Sequence, residues 1–248
     1  MNLFDLSGRK AIVTGVGSMQ GLGRAMAQAL QESGAEVAVI SRSARVFDVA
    51  REDGFAAFQA DLTNRHELAR AFQEAVGKLG TLDILINNHG MTYVHEATSY
   101  PETAWDTLIE TNLTSVFRLC QLAAPIMMEK EYGKIINMAS MATFLGLTQI
   151  PAYAASKGGV GQITKALASE WAAKGINVNA IAPGFMQTEM TAGLKNNPAR
   201  REFFFSRIAA GRWGEAADLK GVAVFLSSHA SDYIHGAIIP VDGGYLAR

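Results

Sequence analysis

Short apolar runs alternate along the chain with longer stretches in which apolar residues recur every three or four positions. These are the periods expected of strands and of amphipathic helices. The first run is Lys10-Ala-Ile-Val-Thr14, and a helical pattern follows from Leu22 to Glu32, closed by Gly34. A strand at Glu36–Ser41 leads to a short helix over 44–51 and a strand over 55–59. Asn64 has the side chain of a helix N-cap, and its helix runs to about Lys78. The pattern then gives a buried strand over 82–87, a long helical region over 102–129, a strand over 134–138, a helix over 153–173 and a strand over 176–181. Residues 184–214 are irregular and carry Phe203, Phe204 and Phe205; 215–228 is helical, and 237–241 is the last strand.

Seven strands separated by helices of this length imply βαβ units with right-handed crossovers. The expected fold is α/β: a parallel seven-stranded sheet, doubly wound, with helices on both faces. No internal repeat, low-complexity segment or linker interrupts the order, so residues 1–248 are expected to form a single domain.

Composition narrows the function classes. At 49% hydrophobic and 18% charged residues, the chain is rich enough in apolar surface to build a core and does not read as disordered. The 22 Lys+Arg nearly balance 23 Asp+Glu, so no basic excess points to nucleic acid or an anionic membrane. Cys120 is the single cysteine, which excludes an intrachain disulfide and a multi-cysteine zinc site; the five histidines have no zinc-like spacing. No apolar stretch approaches the roughly 18 residues of a spanning helix, and the first residues do not read as a signal peptide. The expectation is a soluble cytoplasmic protein without a metal.

Glycine is the skewed residue, with 24 in 248 positions against an average of about 7%. Gly15, Gly17, Gly21 and Gly23 fall between the first strand and the first helix, where a Rossmann fold has its phosphate-binding turn. Glycine lets the backbone turn sharply and approach a pyrophosphate, while the N–H groups and dipole of the following helix favour negative charge. A purely structural turn is the alternative. Further along, Tyr153 and Lys157 are four apart at a helix start and share one face. A nearby ammonium is expected to lower a phenol's pKa from its usual value near 10, allowing proton exchange with a substrate hydroxyl or carbonyl. On its own such a pair is a weak signal and is usually a solvated helix face. Ser140 ends the preceding strand, however, and strand carboxyl ends line the ligand crevice of a parallel sheet.

Thr14-Gly15 with Gly21-Leu22-Gly23, then Asn87-Asn88-x-Gly90, Ser140, Tyr153-x-x-x-Lys157 and Pro183-Gly184 occur in that order. Together they resemble the short-chain dehydrogenase/reductase family along essentially the full chain. Segments 1–8, 209–214, 231–236 and 241–248 are similar to those of its gluconate 5-dehydrogenase and 2-dehydro-3-deoxy-gluconate 5-dehydrogenase group, which acts on sugar acids. Residues Val16 to Gln20 make the glycine loop two residues longer than the family's usual one.

The resemblance implies that Tyr153 is the general acid/base, Lys157 also holds the nicotinamide ribose, Ser140 hydrogen-bonds the substrate oxygen, and Asn112 supports a water-linked proton path. It implies cofactor contacts from Gly15, Gly17, Ser18, Gly21, Leu22 and Gly23, from Asn88 and Gly90, and from the Asp61-Leu62 pair at the adenine. Pro183, Gly184, Met186 and Thr188 resemble the turn that braces the nicotinamide amide and the phosphates. Ser41 and Arg42 end the second strand, where an acidic residue binds ribose hydroxyls and an arginine accommodates a 2′-phosphate. A fork of donors at Arg42, with Arg45 nearby and no charge on Ser41, favours NADP(H); Gln20 is neutral where some NADP-preferring relatives are basic, and NAD(H) is the alternative.

His89 stands where the family usually has alanine. A hydrogen-bonded structural histidine is weighed there against a substrate contact, as it is for His95; Phe185 is a third candidate at the substrate. The phenylalanine run reads as packing of a lid over 185–212, or as a substrate wall. Arg200, Arg201, Arg207 and Arg212 either meet an acidic substrate or are solvated. The expected activity interconverts a secondary alcohol and a ketone on a sugar acid or polyol. Reduction of a 3-oxoacyl thioester and non-catalytic nucleotide sensing are the alternatives. The resemblance also implies a homotetramer through the helices over 102–129 and 153–173 and the C-terminal strand.

Overall fold

The computed structural model describes residues 2–188 and 198–247, with the backbone alone for 198–201. Among these, seven strands form one parallel sheet: β1 (Lys10–Thr14), β2 (Glu36–Ser41), β3 (Ala56–Gln59), β4 (Ile84–Asn87), β5 (Gly133–Met138), β6 (Ile176–Pro183) and β7 (Ile238–Val241). Their order is β3-β2-β1-β4-β5-β6-β7. The chain moves outward from β1 to β3, then returns to pair β4 with the other edge of β1. That reversal opens a crevice beyond the carboxyl ends of β1 and β4.

Helices α1 (Leu22–Glu32), α2 (Val46–Asp53), α3 (Arg65–Leu79), α4 (Glu102–Ile109), α5 (Ser115–Glu129), α6 (Pro151–Trp171), α7 (Pro198–Phe205) and α8 (Lys220–Ser227) surround the sheet. Strand residues alternate between two cores. Ile12 and Leu85 pack with Phe72 of α3, Leu119 of α5 and Trp171 of α6. Ala11, Val13, Ile84 and Ile86 pack with Met26 and Leu30 of α1, Val49 of α2 and Leu226 of α8. Both faces are covered, which is why these strands read as continuous apolar runs.

The doubly wound expectation holds, with local differences. The helical path over 102–129 is continuous, but Glu110–Thr114 is a π-helical turn between α4 and α5. The irregular stretch after β6 contains α7, and residues 189–197 of the expected lid lie outside the described residues. The segment over 215–228 begins as a 3-10 turn, Ala216–Leu219, capped reciprocally by Glu215 and Asp218. Helix α6 starts at Pro151, because proline's fixed φ and missing N–H suit the first helical turn.

The ends of β1 and β4 are tied together. Asn88 Nδ2 donates to the carbonyls of Thr14 (3.0 Å) and Gly15 (3.2 Å), and Thr14 Oγ1 accepts the Asn88 N–H (3.0 Å). Gly15 has φ +73°, and a Cβ there would stand 2.7 Å from His89 Cα. Gly15→Ala is therefore expected to destabilise the fold by about 1–3 kcal/mol. An unchanged urea unfolding midpoint would refute this account of the junction.

Candidate active site

A cleft of ≈ 490 Å³ occupies the crevice. Gly15, Gly17, Ser18 and Gly21-Leu22 wall one side; Ser41, Arg42 and Ser43 after β2 and Asp61-Leu62 after β3 line the far end; Asn88, His89 and Gly90 line the near end, with Thr188 also on the wall. A Cβ at Gly17 would come within 2.7 Å of Ser41 Oγ, so the loop reaches the end of β2 only as glycine. Gly21 is the N-cap of α1 and supplies no side-chain acceptor, which leaves the first-turn N–H groups to face an anion. The lengthened loop is braced from behind. Arg24 donates to the carbonyl of Met19 (2.9 Å) and is clamped by Asp53 (2.6 Å) and Glu52 (2.7 Å) of α2. Hydrogen bonding to Asp53, and then to Glu52, outweighs burial and leaves Arg24 firmly charged, and the Arg24 guanidinium in turn holds Asp53 below the usual carboxylate range. Sequence reasoning missed this brace, because Arg24 meets its partners 28 and 29 residues away with no local signal.

The catalytic candidates converge at the near end. Ser140 follows β5; its Oγ accepts the Ala142 N–H (3.1 Å), while Thr143 Oγ1 accepts the Ser140 N–H (3.3 Å) and donates to the carbonyl of Lys157 (2.9 Å). The serine turn is thus stitched to α6. Lys157 Nζ donates to the carbonyl of Met138 (2.6 Å) and lies 5.8 Å from the centre of the Tyr153 ring. A Cβ at Gly90 would stand 3.3 Å from Asn112 Oδ1 and 3.7 Å from Lys157 Nζ, so these groups adjoin the cleft. Asn112 is buried in the π-helical turn. Its Nδ2 donates to Met91 O (2.8 Å) and Ser156 Oγ (3.2 Å), and its Oδ1 accepts the Met91 N–H (2.9 Å). Its side chain therefore ties the loop after β4 to α6, and the widened turn is what aims it there.

The electrostatic balance differs from the expectation of a phenol drawn down by its neighbouring lysine. Burial pushes the Tyr153 phenol up, and hydrogen bonding with Ser140 pulls it back in part. Burial also pushes Lys157 down to about 8. Desolvation disfavours both charged forms, so the resting site holds a neutral phenol.

A family model described as enoyl-(acyl carrier protein) reductase matches residues 15–246. The 2-dehydro-3-deoxy-D-gluconate 5-dehydrogenase of Bacillus subtilis (strain 168) is 41% identical over 250 residues, spanning 99% of this chain and 97% of that protein. The 5-keto-D-gluconate 5-reductase of Escherichia coli (strain K12) is 39% identical over 251 residues, spanning 99% and 98%. The solved structure of a gluconate 5-dehydrogenase from Burkholderia cenocepacia J2315, in complex with NADP and tartrate, superimposes with a TM-score of 0.92 at 36% identity, over 100% of this chain and 98% of that one. The chain belongs to the short-chain dehydrogenase/reductase family.

Other sequence candidates fall into place in this dehydrogenase/reductase. Phe185 sits among Phe204 (4.5 Å between ring centres), Trp213 (5.6 Å) and Tyr245 (5.4 Å). Pro183 ends β6, Gly184 N–H bonds to Val241 O (2.9 Å), and buried Met186 bridges to Gly214. Phe204 packs, but Phe203 is 57% exposed, which corrects the reading of the whole run as packing. Arg212 is structural, paired to Asp218. Cys120 is buried against Asn87 and Asn137, and burial pushes its thiol up to about 12. His95 is held outside the cleft wall, its ring stacked on Tyr93 and its N–H on the carbonyl of Gln149 (2.8 Å). Among the described residues no three His, Cys, Asp or Glu side chains gather as a metal site, and no helix is long and apolar enough to cross a membrane.

His89 has both ring nitrogens engaged, with Thr14 Oγ1 (2.7 Å) and Ser115 Oγ (2.7 Å), which supports the structural reading over substrate contact. Ser115 Oγ donates to Thr111 O (2.6 Å), so Nε2 carries the proton and Nδ1 accepts from Thr14. Burial, and then the Lys157 ammonium, push the imidazole down to about 3, against 6.5 in the unfolded chain. This group's stabilisation is full above about pH 6.5 and is lost as the pH falls toward 3, at up to ~1.4 kcal/mol per pH unit. In His89→Asn the slope of unfolding free energy against pH over that range should shrink by about one proton; an unchanged slope in urea titrations would sink this assignment.

Proposed function

We propose that this protein is an NADP(H)-dependent oxidoreductase that interconverts a secondary alcohol and a ketone on a sugar acid. The observation that carries the reading is the cluster of Ser140, Tyr153 and Lys157, with Lys157 beside Gly90 on the wall of a cleft that Ser41, Arg42 and Ser43 also line. Three features fit the cofactor: a loop whose Gly15 has no room for a Cβ, an uncapped helix N-terminus, and an arginine flanked by neutral serines in Ser41-Arg42-Ser43. With a net charge of −1 the global field gives little help, so anion recognition is local. The names of the B. subtilis and E. coli relatives, and the NADP and tartrate in the B. cenocepacia structure, support the same cofactor and substrate class.

The bound nicotinamide supplies or accepts the hydride at the carbonyl carbon. The protein fixes geometry and moves the proton. In reduction, Ser140 Oγ donates to the ketone oxygen and the neutral Tyr153 phenol gives that oxygen its proton; in oxidation the phenol takes it back. The Lys157 ammonium, held by Met138 O, stabilises the phenolate left behind and would hold the nicotinamide ribose. Asn112 holds the loop after β4 against α6 and supports proton return to the site. Residues 1–248 act as one catalytic domain. A homotetramer through α4–α5, α6 and the C-terminal strand would cover exposed Phe117 and Tyr233.

Tyr153→Phe is expected to lower turnover by roughly 10²–10⁴-fold while NADPH still binds, read by ketone-dependent NADPH oxidation and cofactor fluorescence. Retained turnover would defeat the mechanism. Removing the fork in Arg42→Ala should raise the KM for NADPH by about 10–100-fold and leave the KM for NADH near its starting value. An equal change for both cofactors would mean Arg42 does not read the 2′-phosphate. A panel of sugar acids, polyols and acyl thioesters separates this substrate class from thioester reduction, and absence of turnover on all of them would favour nucleotide sensing.

A further inference from the structure

The arginines near the substrate side of this chain are not equivalent. The guanidinium of Arg212 is saturated, with both terminal nitrogens 2.7 Å from Asp218 carboxylate oxygens. Arg207 is half-buried, and among the described residues no carboxylate, carbonyl or hydroxyl accepts from its side chain. Its guanidinium instead lies 4.8 Å from the centre of the Tyr245 ring. Tyr245 is fully buried, and among the described residues its hydroxyl has no hydrogen-bond partner. Among the described residues, two donors without acceptors therefore belong to side chains in contact, in a partly desolvated place. A cation–π contact offsets part of the guanidinium's lost hydration and does nothing for the hydroxyl.

Their position ties them to the reaction. Tyr245 closes the aromatic box around Phe185, which leaves β6 immediately after Pro183-Gly184. Met141, the residue after Ser140, belongs to the same buried cluster as Tyr245, Trp213 and Ile208. The box is thus continuous with the serine that holds the reacting oxygen. A carboxylate accepts two parallel bonds from a guanidinium fork and a third from a phenol.

We propose that Arg207, with the Tyr245 hydroxyl beside it, binds the carboxylate of the substrate and distinguishes keto acids from neutral ketones and polyols. The proposal rests on the sugar-acid reading above and names the group that enforces it. Arg207 is a specificity residue and takes no part in the proton transfer.

The test uses the full chain with NADPH and two probes: 5-keto-D-gluconate, and the ketose carrying a hydroxymethyl group in place of its carboxylate. Arg207→Gln should raise the KM for the keto acid by about 10–100-fold with little change in kcat, lowering the acid-to-ketose ratio of kcat/KM by the same factor. Arg207→Lys should recover part of that ratio, because it restores the charge without the fork. Tyr245→Phe should raise the keto-acid KM by roughly 3–10-fold without lowering the thermal midpoint, since it removes a hydroxyl that has no partner in the fold. A keto-acid KM that stays at its wild-type value in Arg207→Gln overturns the proposal, as does an equal loss for both probes. A wild-type enzyme that reduces the ketose or an acyl thioester but no keto acid overturns the sugar-acid reading, and this proposal with it. Wild-type turnover of the keto acid alongside an unaffected Arg207→Gln overturns this proposal alone.

Discussion

The close approach of the ends of β1 and β4 is the constraint on which the rest of the site depends. A parallel sheet that reverses its winding leaves two neighbouring carboxyl ends without a covering loop between them. Here the gap is spanned by Asn88, whose side chain holds the Thr14 and Gly15 carbonyls, and by Thr14, whose hydroxyl meets the Asn88 N–H and the His89 ring. Gly15 must then turn with a positive φ against the backbone of His89. The same turn points the N-terminus of α1 into the crevice, and the loop after β4, held by Asn88, brings Gly90 beside Asn112 and Lys157. Cofactor wall and proton-transfer groups are therefore set by one junction.

Burial does the rest of the electrostatic work. His89, Tyr153 and Lys157 are all shifted toward their neutral forms by desolvation before any neighbour is counted. For His89 this makes a fixed, neutral hydrogen-bond relay between Thr14 and Ser115. For Tyr153 it keeps the proton on the phenol, as the proposed proton transfer to a substrate oxygen requires, with an ammonium nearby for the charge that transfer would leave.

The sheet was legible because its strands are buried on both faces. Ala11, Ile12 and Val13 read as one apolar run whichever core each enters. The catalytic set was legible through spacing: Tyr153 and Lys157 lie one helical turn apart, and Ser140 follows a strand. What periodicity missed were features that break a period without changing hydrophobicity. The π-helical turn at Asn112 is such a case, since one widened turn inside a long helix leaves the apolar pattern intact. The helix Pro198–Phe205 is another, because only part of its aromatic run is buried and the stripe is incomplete.

The sequence by itself determined the winding and the glycine loop, and it pointed to Tyr153 and Arg42 as candidates for proton transfer and for a 2′-phosphate. Each is a local signal, written in residues that neighbour one another along the chain. Only the tertiary structure decided what each group does with its charge. It set Arg24 against Asp53 behind the loop, closed Arg212 onto Asp218, committed His89 to two hydroxyls and left Arg207 facing the Tyr245 ring with no acceptor among the described residues. Partnership and desolvation depend on groups far apart in sequence, and no spacing rule reports whether a cation or a hydroxyl has found its partner.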